Sequence, residues 1–167
     1  VCSRNNDLKP NPSNLFWKCA IENEIETKLR EYGKNIAIQG ERFGLDVQKN
    51  RLKLSQVFYD VHSVYLIDEK RFMEWEEMYK FLHDNGIAIV PTIADNVPLD
   101  PSIPNLVKLA TRETRMHSPG NGIMAEGIVI RTMKNIFDSG MLVEGTNGSG
   151  SVSFKVINPE YLLKHDE

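Results

Sequence analysis

Long apolar runs are missing from this sequence. No stretch is long enough to span a membrane, and no signal peptide opens the chain. Cysteine is scarce. Cys2 and Cys19 are too few for a disulfide framework, which fits a reducing cytoplasm. In that setting Asn147-Gly148-Ser149 matches a glycosylation sequon only by chance. The four histidines, His62, His83, His117 and His165, are scattered and lack zinc-ligand spacing. No serine sits in a nucleophile elbow, and no Cys–His pair has a supporting pattern. The glycine-rich string from Gly145 to Gly150 lacks the Gly-Lys-Ser/Thr ending of a phosphate loop and leads into no helix, so that reading is rejected. A surplus of positive charge is missing too. The net charge is -3 and the pI about 5.9, which is not the bulk signature of a nonspecific nucleic-acid binder. The 20 Lys and Arg residues could still cluster into a local basic groove.

What remains is a globular composition. The 167 residues are 41% hydrophobic and 26% charged, enough for one domain with a sizeable core. The chain opens abruptly on Val1-Cys2-Ser3-Arg4 without an initiator Met, like the end of a strand whose partner lies elsewhere, so a fragment is expected. Asn5 to Asn14 reads as loop, with Ser13 or Asn14 as a helix cap. Phe16, Ala20, Ile25, Leu29 and Tyr32 recur at helical spacing, and Gly33 is a natural stop. Asn35 to Arg42 alternates as a strand, and Phe43 to Arg51 is a polar excursion. Val57 to Ile67 is the longest β-like run, with Val57, Tyr59 and Val61 on one face and Phe58, Asp60 and His62 on the other. Asp68-Glu69-Lys70 reads as a turn. Glu74 to Asn85 predicts an amphipathic helix with Trp75, Met78, Tyr79 and Leu82 inward, closed by Gly86.

Further along, Ile87 to Val90 reads as a short buried strand and Pro91 to Pro104 as mostly irregular. A short helix follows from Asn105 to Thr111, with Ser102 a possible cap. A polar loop covers Arg112 to Gly122, and a flexible hairpin or loop covers Asn135 to Gly150. Pro159 starts a final helix. There is no internal repeat. The fold class is α+β, with mostly antiparallel sheets and helices packed outside.

The chain is organised around Ala125-Glu126-Gly127-Ile128-Val129-Ile130-Arg131. Three β-branched residues in a row predict a buried strand, with a carboxylate at its entrance and a guanidinium at its exit. Such a strand can hold an acid at the rim of a pocket, where it binds a metal ion or phosphate-bound magnesium. A second strand, Ser151 to Ile157, carries one cation, Lys155, among apolar neighbours. An acid on one strand and a lysine on the next make a phosphate-handling pair. Strand-end charges kept for solubility are the alternative. Glu41, just after Gly40, could accept hydrogen bonds from a ribose, or be a solvated strand-end acid. Tyr59 or Phe58 could stack on a purine, or belong to the core. Arg4 could contact phosphate, or be an exposed terminal charge.

Together these pieces resemble the covalent nucleotidyltransferases, which include ATP-dependent RNA ligases, DNA ligases and capping enzymes. The resemblance is to the nick-sealing RNA ligases of the Deinococcus and Naegleria type. The matching stretches are Val1-Cys2-Ser3-Arg4-Asn5, Ile38-Gln39-Gly40-Glu41, Val57-Phe58-Tyr59-Asp60-Val61, Glu126 to Arg131, Ser153 to Ile157, and the closing Tyr161-Leu162-Leu163-Lys164. The resemblance implies a nucleotidyltransferase (ATP-grasp-like ligase) domain, incomplete at its N-terminus, that uses ATP with Mg2+ or Mn2+. It implies that Arg4 contacts the nucleotide or the phosphate of the nick and that Glu41 binds the ribose. Tyr59 would stack on adenine, with Phe58 as second choice. Glu126 would bind the metal, and Lys155 the α-phosphate. The implied partners are ATP and nicked duplex RNA or an RNA/DNA hybrid, with the protein a monomer and no membrane involved.

The main departure is the nucleophile. The family attaches AMP to a lysine in a Lys-x-Asp-Gly motif, and none occurs here; Lys164-His165-Asp166-Glu167 is at the wrong end and lacks the glycine. The nucleophile is therefore expected upstream of Val1, and the chain alone is expected to be inactive. Arg131 stands where many relatives have lysine, and Ser153 where some have a first motif lysine. Two other readings stay open: a DNA ligase or capping guanylyltransferase of the same superfamily, and a noncatalytic nucleotide- or RNA-binding module.

Overall fold

The structure is a computed structural model that describes residues 1–3, 5–117, 122–136 and 152–165. Arg4, the glycine-rich string, the sequon and most of the expected loop from Asn135 to Gly150 lie outside the described residues. The chain divides into two compact units, Val1–Val90 and Pro91–Glu167.

The first unit opens with two helices where the apolar spacing predicts one. Asn14 caps the first, α1 (Leu15–Glu22), its side-chain oxygen accepting from Phe16 N at 2.9 Å and Trp17 N at 3.4 Å. The helix stops at Asn23, whose side-chain amide donates to Cys19 O at 2.8 Å, and Glu24 turns left-handed at φ 53°. An asparagine that bonds the backbone locally competes with helix propagation, and apolar spacing carries no record of that break. The second helix, α2 (Ile25–Tyr32), ends at Gly33 with φ 72°, where a side chain would be strained.

Three antiparallel strands follow in the order β1-β2-β3: β1 (Ile36–Gly44), β2 (Val57–Leu66) and β3 (Arg71–Phe72). Strand β1 runs two residues past the expected end at Arg42. The β1–β2 register slips between Gln39 and Gly40, which face Ser63 and Val61 in turn, so the extra residue, His62, lies on β2. A one-residue slip exchanges faces. The slip puts Val64 on the face of Val61. The simple alternation expected for β2 also fails, since Asp60 and Val61 are both buried, and so are Ser63 and Val64.

Helix α3 (Trp75–Asp84) packs on this sheet through Met78, Phe81 and Leu82. Its buried stripe centres on those three residues, so Tyr79, expected inward, falls at the edge and is 49% exposed. With Ile25, Val61, Val64, Leu66, Met73 and Ile87 they form an apolar core. The short strand expected at Ile87 to Val90 reduces to a parallel bridge, with Val61 N donating to Ala88 O and Val90 N to Val61 O.

The second unit begins with α4 (Ile103–Ala110), two residues earlier than expected. Ser102 makes no side-chain cap. Asp100 instead accepts from Ser102 N at 2.8 Å and from the Asn105 amide at 2.7 Å. Strands β4 (Gly127–Arg131) and β5 (Ser153–Ile157) pair antiparallel, and α5 (Pro159–His165) follows. The strand expected to be buried is buried on one side only. Ile128 is covered, while Val129, on the other face of the two-stranded sheet, is 54% exposed among the described residues. The α+β class with antiparallel sheets is the one observed. No helix among the described residues is long and apolar enough to cross a membrane.

Candidate active site: two sets of residues

Glu126 and Lys155 meet in the second unit. The Lys155 ammonium donates to Glu126 Oε1. Direct pairing does not make this contact; the two long side chains reach along the ladder to make it. Lys155 stands opposite Val129, while Glu126 precedes Gly127, the partner of Ile157. Gly127 permits the close approach, since a Cβ there would lie 2.2 Å from Val156 O and 3.0 Å from Ile157 Cα. Both charged side chains are about half exposed, 47% for Lys155 and 54% for Glu126. A pair so exposed contributes about 0–1 kcal/mol to stability. The fold therefore gains little from holding these groups together, and an incoming anion or cation can exchange for either partner at small cost.

Asn158 is the residue that the sequence reading missed at this site. It is fully buried. Its amide donates to Ala125 O at 2.9 Å, its side-chain oxygen accepts from Glu160 N at 3.0 Å, and its backbone N–H donates to Glu126 O at 2.9 Å. One side chain thus ties the entrance of β4 to the exit of β5 and caps α5. Pro159 was read as a helix start; the same Asn-Pro pair signals the cap one residue earlier.

The first unit carries Glu41, Phe58 and Tyr59 on the β1–β2 ladder. Glu41 is exposed and stands opposite Asp60; Arg42 stands opposite Tyr59, and Phe43 opposite Phe58. The Phe43 and Phe58 rings stack, with centroids 5.9 Å apart and planes 19° from parallel. Tyr59 lies against Gly40, where a Cβ would come within 2.9 Å of its ring and 2.4 Å of Asp60 O. Burial first, and the Cys19 thiol second, push the Tyr59 hydroxyl up to about 12. Burial also raises the Cys19 thiol, against the opposing pull of Arg42. That arginine, another residue the sequence reading passed over, lies over the Phe16 ring at 4.9 Å, and its Nε and Nη1 are buried with no hydrogen-bond partner among the described residues.

Among the described residues, no three His, Cys, Asp or Glu side chains gather to hold a metal ion. Glu126 offers a single carboxylate. That fits an ion carried on a nucleotide's phosphates, which needs one or two protein carboxylates, and does not fit a dedicated all-protein cage.

The RNA ligase family model matches residues 1–157. The chain belongs to the RNA ligase family. Solved structures agree with this assignment. The chain shares the fold of a Naegleria gruberi RNA ligase variant with ATP and Mn, at 23% identity and TM-score 0.81, over 99% of this chain and 45% of that one. It is 26% identical to Naegleria gruberi RNA ligase with PPi, at TM-score 0.80, over 99% and 44% of the two chains. A variant with AMP and Mn matches at 26% identity and TM-score 0.80, over 99% and 45%. The chain therefore spans less than half the length of these ligases. No curated protein matches it. The mixed α+β architecture is that of the RNA ligase nucleotidyltransferase fold.

Proposed function

We propose that this chain forms most of the adenylyltransferase domain of an ATP-dependent RNA ligase that seals 3′-hydroxyl/5′-phosphate nicks in duplex RNA or an RNA/DNA hybrid, acting as a monomer. The observation that carries the reading is the Glu126–Lys155 pair. It is an acid whose backbone Asn158 holds at the entrance of β4 and a cation from the middle of β5, nearly neutral for stability, in a chain of this family.

The full reaction has three balanced steps. A neutral lysine ε-amine attacks the α-phosphorus of ATP; a P–N bond forms, the nitrogen gives up one proton to solvent, the P–O bond breaks and pyrophosphate leaves. A 5′-phosphate oxygen then attacks the lysyl-AMP phosphorus, and the amine leaves and regains its proton. Last, the 3′-hydroxyl attacks the activated 5′-phosphate, loses its proton, and AMP departs. Such transfers ask the protein chiefly for positioning and charge neutralisation.

In this reading Glu41 accepts from the ribose hydroxyls, and Tyr59 stacks on adenine, with Phe58 as second choice. Lys155 holds the α-phosphate and neutralises charge as pyrophosphate leaves. Glu126 holds the Mg2+ or Mn2+ that arrives with the phosphates, and that ion supplies further charge neutralisation. Arg4 contacts the nucleotide or the nick phosphate. The nucleophile is not among these 167 residues in a Lys-x-Asp-Gly setting, so the chain alone forms no covalent AMP adduct.

Isothermal titration with ATP and magnesium tests the reading, with Glu41→Ala and Lys155→Ala beside the unaltered chain. Binding that both changes weaken by about tenfold or more, the loss of one charge-assisted hydrogen bond, is the expected result. Binding that neither change affects would remove both residues from the nucleotide pocket.

A further inference from the structure

We propose that the loop joining β1 to β2, residues 45–56, is a phosphate-backbone clamp for RNA. The inference rests on the ligase reading above and gives it a substrate-holding surface.

The loop is unusual in its backbone. Asp46, Gln48, Lys49, Asn50 and Lys53 all have left-handed φ, between 42° and 62°, and none is glycine. Each such residue costs on the order of 1 kcal/mol, so the surrounding structure must hold the shape. It does so at two points. Val47 is buried and anchors the loop. Asn50 clamps Leu54 from both sides, its amide donating to Leu54 O at 2.8 Å and its oxygen accepting from Leu54 N at 3.0 Å. Backbone bonds from Asn50 N to Val47 O at 2.7 Å and from Lys53 N to Asn50 O at 2.9 Å close successive turns. A surface loop kept in a strained and fixed shape is a presented surface.

What it presents is positive charge. Lys49, Arg51 and Lys53 are all exposed. No acidic residue occurs between Asp46 and Asp60. Lys49 and Lys53 make no ion pair among the described residues. In a chain of net charge -3, three exposed cations within five residues, in a stretch from Val47 to Tyr59 that contains no Asp or Glu, form a local field of opposite sign. The loop leaves β1 at Gly44, three residues past Glu41, and returns at Val57, next to Phe58 and Tyr59. Three strand residues span about 10 Å, so the root of the loop is about that far from the proposed ribose contact. A polyanionic strand gripped there lies beside the adenylate. Backbone phosphates, spaced along a chain and indifferent to sequence, fit a row of cations better than a single small anion does.

The test compares the unaltered chain with a K49Q/R51Q/K53Q variant, binding a fluorescein-labelled nicked RNA duplex over a salt series, with ATP titration of both as the control. Neutral glutamines keep the loop's length and exposure. The expected result is RNA affinity lower by about tenfold or more and a log–log salt slope shallower by about 2 to 3, with ATP affinity unchanged. Equal RNA affinity and slope in the two proteins would overturn the assignment. So would polyglutamate displacing RNA at comparable concentration, which would mark a surface for acidic peptides. ATP binding without RNA binding overturns the clamp and leaves the adenylate reading standing; a charge-dependent RNA affinity with no ATP binding does the reverse.

Discussion

The two units hold their candidate residues by different means. In Val1–Val90, Tyr59 borders a cluster of nine buried apolar residues supplied by α2, β2, α3 and the segments beside α3. In Pro91–Glu167, the buried apolar side chains among the described residues are Ala110, Ile128 and Tyr161, and a buried asparagine fixes the backbone that carries Glu126. Glu41, Phe58 and Tyr59 thus sit on a packed scaffold, and the Glu126–Lys155 pair sits on a hydrogen-bonded one. Packing energy is spread over many small contacts, whereas hydrogen bonding at Asn158 is concentrated in one side chain. The first arrangement tolerates loss at its edges; the second has a single point of failure.

The largest effect is expected from emptying the core of the first unit. Leu82 is 1% exposed, and Leu82→Ala should cost about 3 kcal/mol in urea unfolding. In hydrogen exchange the lost protection should concentrate in β2 and α3 and leave β4 and β5 near their original rates. Equal loss in both units would show that they unfold as one and would break the comparison.

Asn158→Ala should cost about 2 kcal/mol, since it removes a fully buried side chain and strands the Ala125 carbonyl and the Glu160 N–H in a part-buried setting. Its sharper mark is on ligand binding. ATP affinity in the presence of magnesium should fall although Asn158 touches no ligand in the proposed site, and Asn158→Asp, which keeps the oxygen that caps α5, should recover the stability contributed by the cap without recovering the bond to Ala125. If both variants bind ATP as the unaltered chain does, the asparagine only stabilises and does not position Glu126.

These contrasts separate what the sequence makes legible from what it hides. The strand around Ile128, the strand around Lys155 and the long run through Tyr59 were readable because β-branched and aromatic residues crowd into short segments bounded by turn residues. Their pairing brings Glu126 to Lys155, as an acid and a lysine on successive strands suggest. The helix break at Asn23 was not readable, because side-chain-to-backbone bonding leaves apolar spacing intact. Nor was the slip at Gly40, which makes His62 the extra residue on β2 and reverses the facing of β2 beyond it. A glycine inside a strand pattern is a known sign of close backbone approach, and Gly40 and Gly127 both carried it. Burial of Val129 was over-read, because a triplet of β-branched residues records strand propensity and not the number of layers that cover the strand.

The smallest effect, and the finest probe of the packed side of the comparison, is the titration of Tyr59. Burial holds its hydroxyl up to about 12 against an ordinary value of 10.0. As pH rises past 10, the unfolded chain releases this proton first while the folded chain keeps it, so the unfolded state binds fewer protons and stability must fall with pH. The contribution is fully present below about pH 10 and is lost as pH climbs toward 12. Discounted for the partial exposure of the ring, it amounts to about 2 kcal/mol at most. Unfolding free energies measured at about pH 9 and about pH 11 should therefore differ more in the unaltered chain than in Tyr59→Phe, which has no proton to lose. Equal differences in the two proteins would mean that the Tyr59 hydroxyl is open to water in the folded state. Tyr59 would then not be held by packing, and both units would present their candidate residues on surfaces of the same kind.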